Sequence, residues 1–160
     1  MVEEGIFDDD HVELVHGEII QLSPANTPHA RMVPRLSIWL GQRMEADRIL
    51  ADAFIRLDDR SVRAFDLTVL REGSNPGDVL DAGDVLLGIE IARSSLKRDL
   101  GEKKRHYAAA GIANYLVVDL DNRLFHLMSD PKAEEFRLLL ERSFEEGVDL
   151  PSTLGRLQLP

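Results

Sequence analysis

One stretch constrains this chain more than any other: Val85 to Gly111, VLLGIEIARSSLKRDLGEKKRHYAAAG. Val85 to Ala92 is short and almost wholly apolar, which suits a strand covered on both faces in the middle of a mixed or parallel sheet. Alternation sets Leu86, Gly88, Glu90 and Ala92 on one face and Val85, Leu87, Ile89 and Ile91 on the other. Glu90 is thus expected as a buried carboxylate, costly unless paired, hydrogen-bonded or bound to a metal. Ser94 and Ser95 offer an N-cap for a helix that ends at Gly111, a natural glycine for the position after a helix. At 100° per residue, Leu96, Leu100, Lys103, Tyr107 and Ala110 fall within roughly one 80° sector. Lys103 sits in the middle of it, while Lys97, Arg98, Lys104 and Arg105 point away. A lysine aimed at the sheet needs a carboxylate, and the preceding strand carries one.

With 160 residues and 44% hydrophobic content, residues 1–160 are expected to form one domain able to bury about 70% of its unfolded surface. There is no cysteine, which removes disulfide frameworks, thiolate metal sites and cysteine nucleophiles. Residues 1–10, MVEEGIFDDD, read as a loose acidic arm with no apolar core segment for a signal peptide. No run approaches the roughly 20 apolar residues of a membrane span, so no membrane partner and a cytoplasmic address are expected. A formal charge of −10 argues against a protein that coats nucleic acid through massed Lys and Arg. Exposed charges more than about 8 Å apart are largely screened, so a local basic groove remains compatible with it. Arg93 to Arg105 is the densest basic patch.

Taken in order, His11 to Leu22 reads as two short strands joined at His16-Gly17, with Glu18 following the turn. Asn26 or Thr27 can cap a helix reaching about Asp47, with Pro28 in its first turn and Met32, Leu36, Leu40 and Met44 on one stripe. Pro34 is expected to kink it or set off a separate turn. Ile49 to Leu57 and Val62 to Leu70 read as a strand pair around residues 58–60, with Phe65, Leu67 and Val69 on one face and Asp66 on the other. Arg71 to Asp84 has loop composition and could cover a site. Strands follow at Asn114 to Asp119, Arg123 to Met128 and Glu135 to Leu140, and the tail reads as irregular.

Asp66 and Glu90 are single acids inside two apolar strands. If those strands are neighbours, the carboxylates converge, and like charges resist joint ionisation unless a cation lies between them. A hard dication with oxygen ligands, Mg2+ or Mn2+, suits that setting, with Asp66 and Glu90 as its ligands and Lys103 completing the site. The same Glu90 and Lys103 would serve as a buried structural ion pair, and Asp66 could cap backbone N–H groups at a strand end. His29 could orient a water or substrate, or simply cap its helix.

ELVHGEIIQLSP, AFDLTVL and IEIARSSLKRDLGEKKRHYAAAGIANYLVVDL resemble, in order and spacing, the Uma-two family of bacterial proteins grouped as restriction endonucleases, a branch of the PD-(D/E)XK nuclease superfamily. The resemblance covers roughly Val12 to Leu120. It implies a restriction-endonuclease-like α/β (α+β) fold, a central mixed sheet flanked by helices with an N-terminal β-hairpin. It also implies Mg2+- or Mn2+-dependent cleavage of DNA and a homodimer. Its acids map onto Asp66 and Glu90, its Gly-Glu after the first hairpin turn onto Gly17 and Glu18, and its lysine, moved to the following helix, onto Lys103. Glu18 would then support the ion directly or through water. Phe65 stands where the pattern has proline, and Ala92 where the superfamily has its strand lysine. Arg93 stands where related sequences often have an acid or serine. Two other readings use the same residues: an inactive relative serving as an oligomeric binding or assembly module, and a metal-dependent hydrolase of small phosphate esters.

Overall fold

A computed structural model describes residues 11–160; the acidic arm expected at residues 1–10 lies outside the described residues. Along the chain run β1 (Val12–Val15), β2 (Glu18–Gln21), α1 (Thr27–Gly41), a 3-10 turn (Ala46–Arg48), β3 (Ile49–Ala51), β4 (Phe54–Asp58), β5 (Ser61–Ala64), β6 (Leu67–Leu70), β7 (Leu80–Asp81) and a second 3-10 turn (Ala82–Asp84). Then come β8 (Val85–Ala92), α2 (Leu96–Arg98), a π segment (Asp99–Lys103), α3 (Lys104–Ala110), β9 (Asn114–Asp119), β10 (Leu124–Lys132), β11 (Glu135–Ser143), β12 (Val148–Leu150) and β13 (Gly155–Leu157).

The main sheet has the order β11-β10-β9-β8-β6-β3. β8 lies inside it, antiparallel to β6 and parallel to β9. A parallel neighbour demands a crossover, and residues 96–110 supply it as consecutive helical segments. Gly111 closes the helix in the left-handed region, at φ 82°, where a side chain would be strained.

One side of this sheet packs Leu67, Val69, Leu87, Ile89, Ile91, Leu116 and Val118 against Met32, Leu36 and Leu40 of α1 and leucines of the C-terminal segment. The other side packs Phe65, Ala92, Tyr107, Ala108, Tyr115, Val117 and Phe136 together. Gly88 belongs to this second side. A Cβ there would lie 2.3 Å from the Phe65 ring, so only glycine lets that ring rest across β8. Beyond it, the Phe65 and Tyr107 rings pack at a 37° tilt with centroids 4.3 Å apart. The expected alternation of β8 holds from Leu87 to Ala92. It fails at the start, where the register against β6 shifts between Val69 and Leu70 and Val85 joins the second side.

A second sheet has the order β2-β1-β5-β4-β7, and β12 and β13 form a hairpin, so the tail is more regular than its sequence suggests. The expected long strand pair is broken in the middle. β4–β5 belong to the second sheet and β3–β6 to the first. The break falls at Asp52, whose φ is 49°, and opposite it at Asp66, which lies at the corner just before β6 rather than inside a strand. Hence Phe65 faces the side opposite Leu67 and Val69, contrary to simple alternation. α1 starts as expected, with Asn26 Oδ1 accepting from His29 N at 3.2 Å, but ends at Gly41 and carries Pro34 within it.

Candidate active site

The helix after β8 is pinned to the sheet by an inward lysine. Lys103 is 4% exposed, and its Nζ donates to Glu90 Oε1 at 2.8 Å. Tyr107, one turn on, donates its hydroxyl to the same oxygen at 3.0 Å. The stripe of the helical wheel is therefore the buried face. The π segment that ends at Lys103 turns Asp99 inward too, although Asp99 sits on the margin of that stripe. It is 1% exposed, accepts from Ser95 Oγ at 2.6 Å and lies 3.7 Å from Lys103 Nζ. Ser95 thus binds Asp99 instead of capping the helix backbone. Local π turns occur often at functional positions.

Glu13 is a third carboxylate at this lysine. β1 carries it beside β5, where it is 1% exposed, 3.7 Å from Lys103 Nζ and hydrogen-bonded by Arg63 Nη1 at 3.0 Å. Arg63, itself buried, also binds Glu102, and its Nε meets His106 Nδ1 at 3.2 Å. The buried polar chain therefore runs from His106 through Arg63 and Glu13 to Lys103 and Glu90.

Asp66 completes the group from the corner before β6. Its Oδ2 accepts from Ile91 N at 2.6 Å and lies 3.0 Å from His29 Nε2. The β6–β8 ladder has its last paired residues at Leu67 and Ile89, so Asp66 satisfies the next β8 N–H past the end of that ladder. His29, presented by the first turn of α1, holds the other side of this carboxylate. Its Nδ1 is buried without a hydrogen-bond partner.

Glu13, His29, Asp66, Glu90, Asp99 and Lys103 line one cleft of about 730 Å³, bounded by α1, β1, the Asp66 corner and the start of the helix after β8. Glu18 is not among them. It lies on β2, all of whose residues are exposed, and pairs with Val15 at the edge of the second sheet; the carboxylate that this hairpin delivers to the cleft is Glu13. Residues 71–84 do not line the cleft either; β7 within them pairs with β4, so that loop is no cover for the site. Arg93 and Arg98 reach its rim, with Arg93 Nε 3.2 Å from Asp121.

The charges are unbalanced. Burial pushes the Glu90 carboxyl up to about 8, against the pull of Lys103. Burial likewise raises Asp99, again opposed by Lys103. Burial works to lower Lys103, but Glu90, Glu13 and Asp99 together hold it above the usual lysine range, so it is an ammonium. The hydrogen bond to Asp66 raises His29. Lys103 thus faces Glu90, Glu13 and Asp99, while Arg63 also holds Glu13 and His29 holds Asp66; Glu90 and Asp99 answer this crowding by holding their protons more readily than ordinary carboxyls.

Among the described residues, no three His, Cys, Asp or Glu side chains form a group that could hold a metal ion. The donor set nonetheless suits a hard dication that keeps most of its waters. Such an ion needs only one or two protein carboxylates, and the contacts above occupy Oδ2 of Asp66 and Oε1 of Glu90, one oxygen of each. Oε1 of Glu13 and Oδ1 of Asp99 are buried without a hydrogen bond and have only the Lys103 ammonium, 3.7 Å away, as a partner.

No curated protein matches the chain. The crystal structure of a putative nuclease belonging to DUF820 from Anabaena variabilis is similar in fold, with a TM-score of 0.67 and 15% sequence identity over 89% of this chain and 83% of that one. The Uma2 family model, described as putative restriction endonuclease, matches residues 4–160. The mixed sheets, the N-terminal hairpin and this match over nearly the whole chain agree: the protein belongs to the Uma2 family.

Proposed function

We propose that this protein is a divalent-metal-dependent endonuclease that hydrolyses DNA phosphodiester bonds, with Asp66 and Glu90 as the ligands of Mg2+ or Mn2+. The observation that carries the reading is the buried Lys103 ammonium, 2.8 Å from Glu90, in the cleft that Asp66 also lines. A bound dication supplies charge stabilisation at the phosphate and lowers the pKa of water. In the reaction, water adds to phosphorus, the bond to one sugar oxygen breaks, and a phosphate and a hydroxyl end result. Lys103, held protonated, is no general base; it offsets charge developing on the phosphate oxygens. Ile91 N and His29 fix Asp66, and Tyr107 and Lys103 fix Glu90, so neither carboxylate needs to reorganise on binding. Arg93 and Arg98 at the rim suit flanking phosphates. Cutting both strands needs two such clefts, so the working unit is taken as a homodimer, with a cytoplasmic address.

A second reading has a specific observation in its favour. Asp66 caps a backbone N–H and Glu90 already pairs with Lys103, so the site could be a structural ion cluster in an inactive member that serves as a binding module. A small phosphodiester would use the same cleft. Incubation of supercoiled plasmid, single-stranded DNA, RNA and a simple phosphodiester with Mn2+ or Mg2+ separates these. The proposal expects plasmid nicking that falls by about a thousandfold in Asp66→Ala. Turnover of the simple diester alone would favour the third reading, and no turnover of any substrate the second.

A further inference from the structure

β11 ends the main sheet: β10 flanks it on one side, and among the described residues no strand pairs with the other. It is nine residues long, and Leu138 and Leu139 at its centre are 60% and 64% exposed. Open strand edges are usually guarded by charge, bulges or a covering element. Here the charges stand only at the flanks of an apolar centre, and they are arranged symmetrically. Leu138 and Leu140 lie one residue either side of Leu139, and Arg137 and Glu141 lie two residues either side.

We infer that β11 pairs antiparallel with β11 of a second copy of this chain, across a two-fold axis through Leu139, so that two main sheets become one. Leu139 then faces the partner's Leu139, Leu138 faces the partner's Leu140, and Arg137 faces the partner's Glu141. Each unlike contact occurs twice by symmetry. Leu139 and Glu141 share a face by alternation, and across the axis Arg137 meets Glu141, so two ion pairs bracket the central leucines. The register is selective. Backbone hydrogen bonding between identical antiparallel strands requires the axis to pass through a residue pair. Moving it to Leu138 sets Glu135 against the partner's Glu141, and moving it to Leu140 sets Leu139 against the partner's Glu141. Arg137 and Glu141 are 56% and 63% exposed, within reach of a neighbour despite their contacts to Asp130 and His126. β2, the other edge with exposed isoleucines, offers four residues and no comparable charge pair.

This inference does not depend on the nuclease reading, because its test needs no substrate. The chain has no cysteine, so Leu139→Cys introduces one thiol, placed to meet its own copy at the axis. Mild oxidation should give a disulfide-linked dimer on a non-reducing gel, whereas Leu138→Cys, which faces leucine, should cross-link far less. In sedimentation equilibrium the wild type should be a dimer, and Leu139→Asp should weaken it by about a hundredfold, through two lost leucine contacts and facing carboxylates. Arg137→Glu should weaken it as well, and Arg137→Glu with Glu141→Arg should restore it. A monomeric wild type overturns the inference. So does a dimer that survives Leu139→Asp and does not cross-link at residue 139. If Leu139→Asp fails to fold, the cysteine pair decides.

Discussion

The two sides of β8 obey different rules although one strand builds both. On the α1 side, Leu87, Ile89 and Ile91 pack in an apolar cluster, and each fully buried side chain there stabilises by about 1.5–3 kcal/mol. On the opposite side, Glu90 sits among Lys103, Tyr107, Glu13 and Asp99. Taking such groups out of water costs several kcal/mol per ion before pairing returns anything. A fold that wanted only stability would place leucine at Glu90 and Lys103. The contrast is what the proposed metal site requires, and it can be broken in graded ways.

The largest effect on stability is expected from Lys103→Met. It strips the cation from three buried carboxylates and should cost about 3–5 kcal/mol in urea unfolding. Adding Glu90→Gln to it should recover part of that loss, because a buried carboxyl left without its cation is removed. If Lys103→Met unfolds no more easily than wild type, the polar side is not organised around this ion pair.

The pH profile should come next. Glu90 rises from an ordinary 4.5 to about 8 on folding, so the folded state holds a proton that the unfolded chain releases. Stability therefore falls as pH climbs through that window, by at most about 1.4 kcal/mol per pH unit. The upward shifts of Asp99 and His29 act in the same direction, whereas Lys103, charged throughout, adds no slope there. Chemical denaturation of wild type and Glu90→Gln across this range should show a flatter curve in the variant; equal slopes would contradict the assignment.

The smallest contrast separates two acids of one hairpin. Glu13→Gln weakens a buried partner of Arg63 and Lys103 and should cost about 1–3 kcal/mol. Glu18→Gln, on the exposed strand, should stay within about 0.5 kcal/mol and leave DNA cleavage unchanged. Reversed effects would return Glu18 to the site.

Much of this polar side is legible in the sequence. Glu90 stood out because a lone acid in an apolar run has few uses, and Lys103 because helical periodicity pointed it inward. The same rule applied to HVELV would have selected Glu13, another lone acid between apolar residues. The family's Gly-Glu pattern drew attention to Glu18 instead, yet β2 lies at the outer edge. Asp99 lay on the margin of the helical stripe, and only the π segment brings it in. The corner at Asp52 and Asp66 was invisible because alternation continues smoothly through AFDLTVL; it takes the pairing of two separate sheets to break the strand there. The β12–β13 hairpin was hidden by its three-residue strands.

Asp66 and Glu90 are proposed to share a dication in the cleft. The most direct test is thermal unfolding of wild type, Asp66→Ala and Glu18→Gln with and without Mn2+. At a concentration about a hundredfold above the dissociation constant, wild type and Glu18→Gln should both gain about 2.7 kcal/mol and melt higher, with no gain in Asp66→Ala. A wild type whose melting temperature ignores Mn2+, or an Asp66→Ala variant that responds just as strongly, would contradict it.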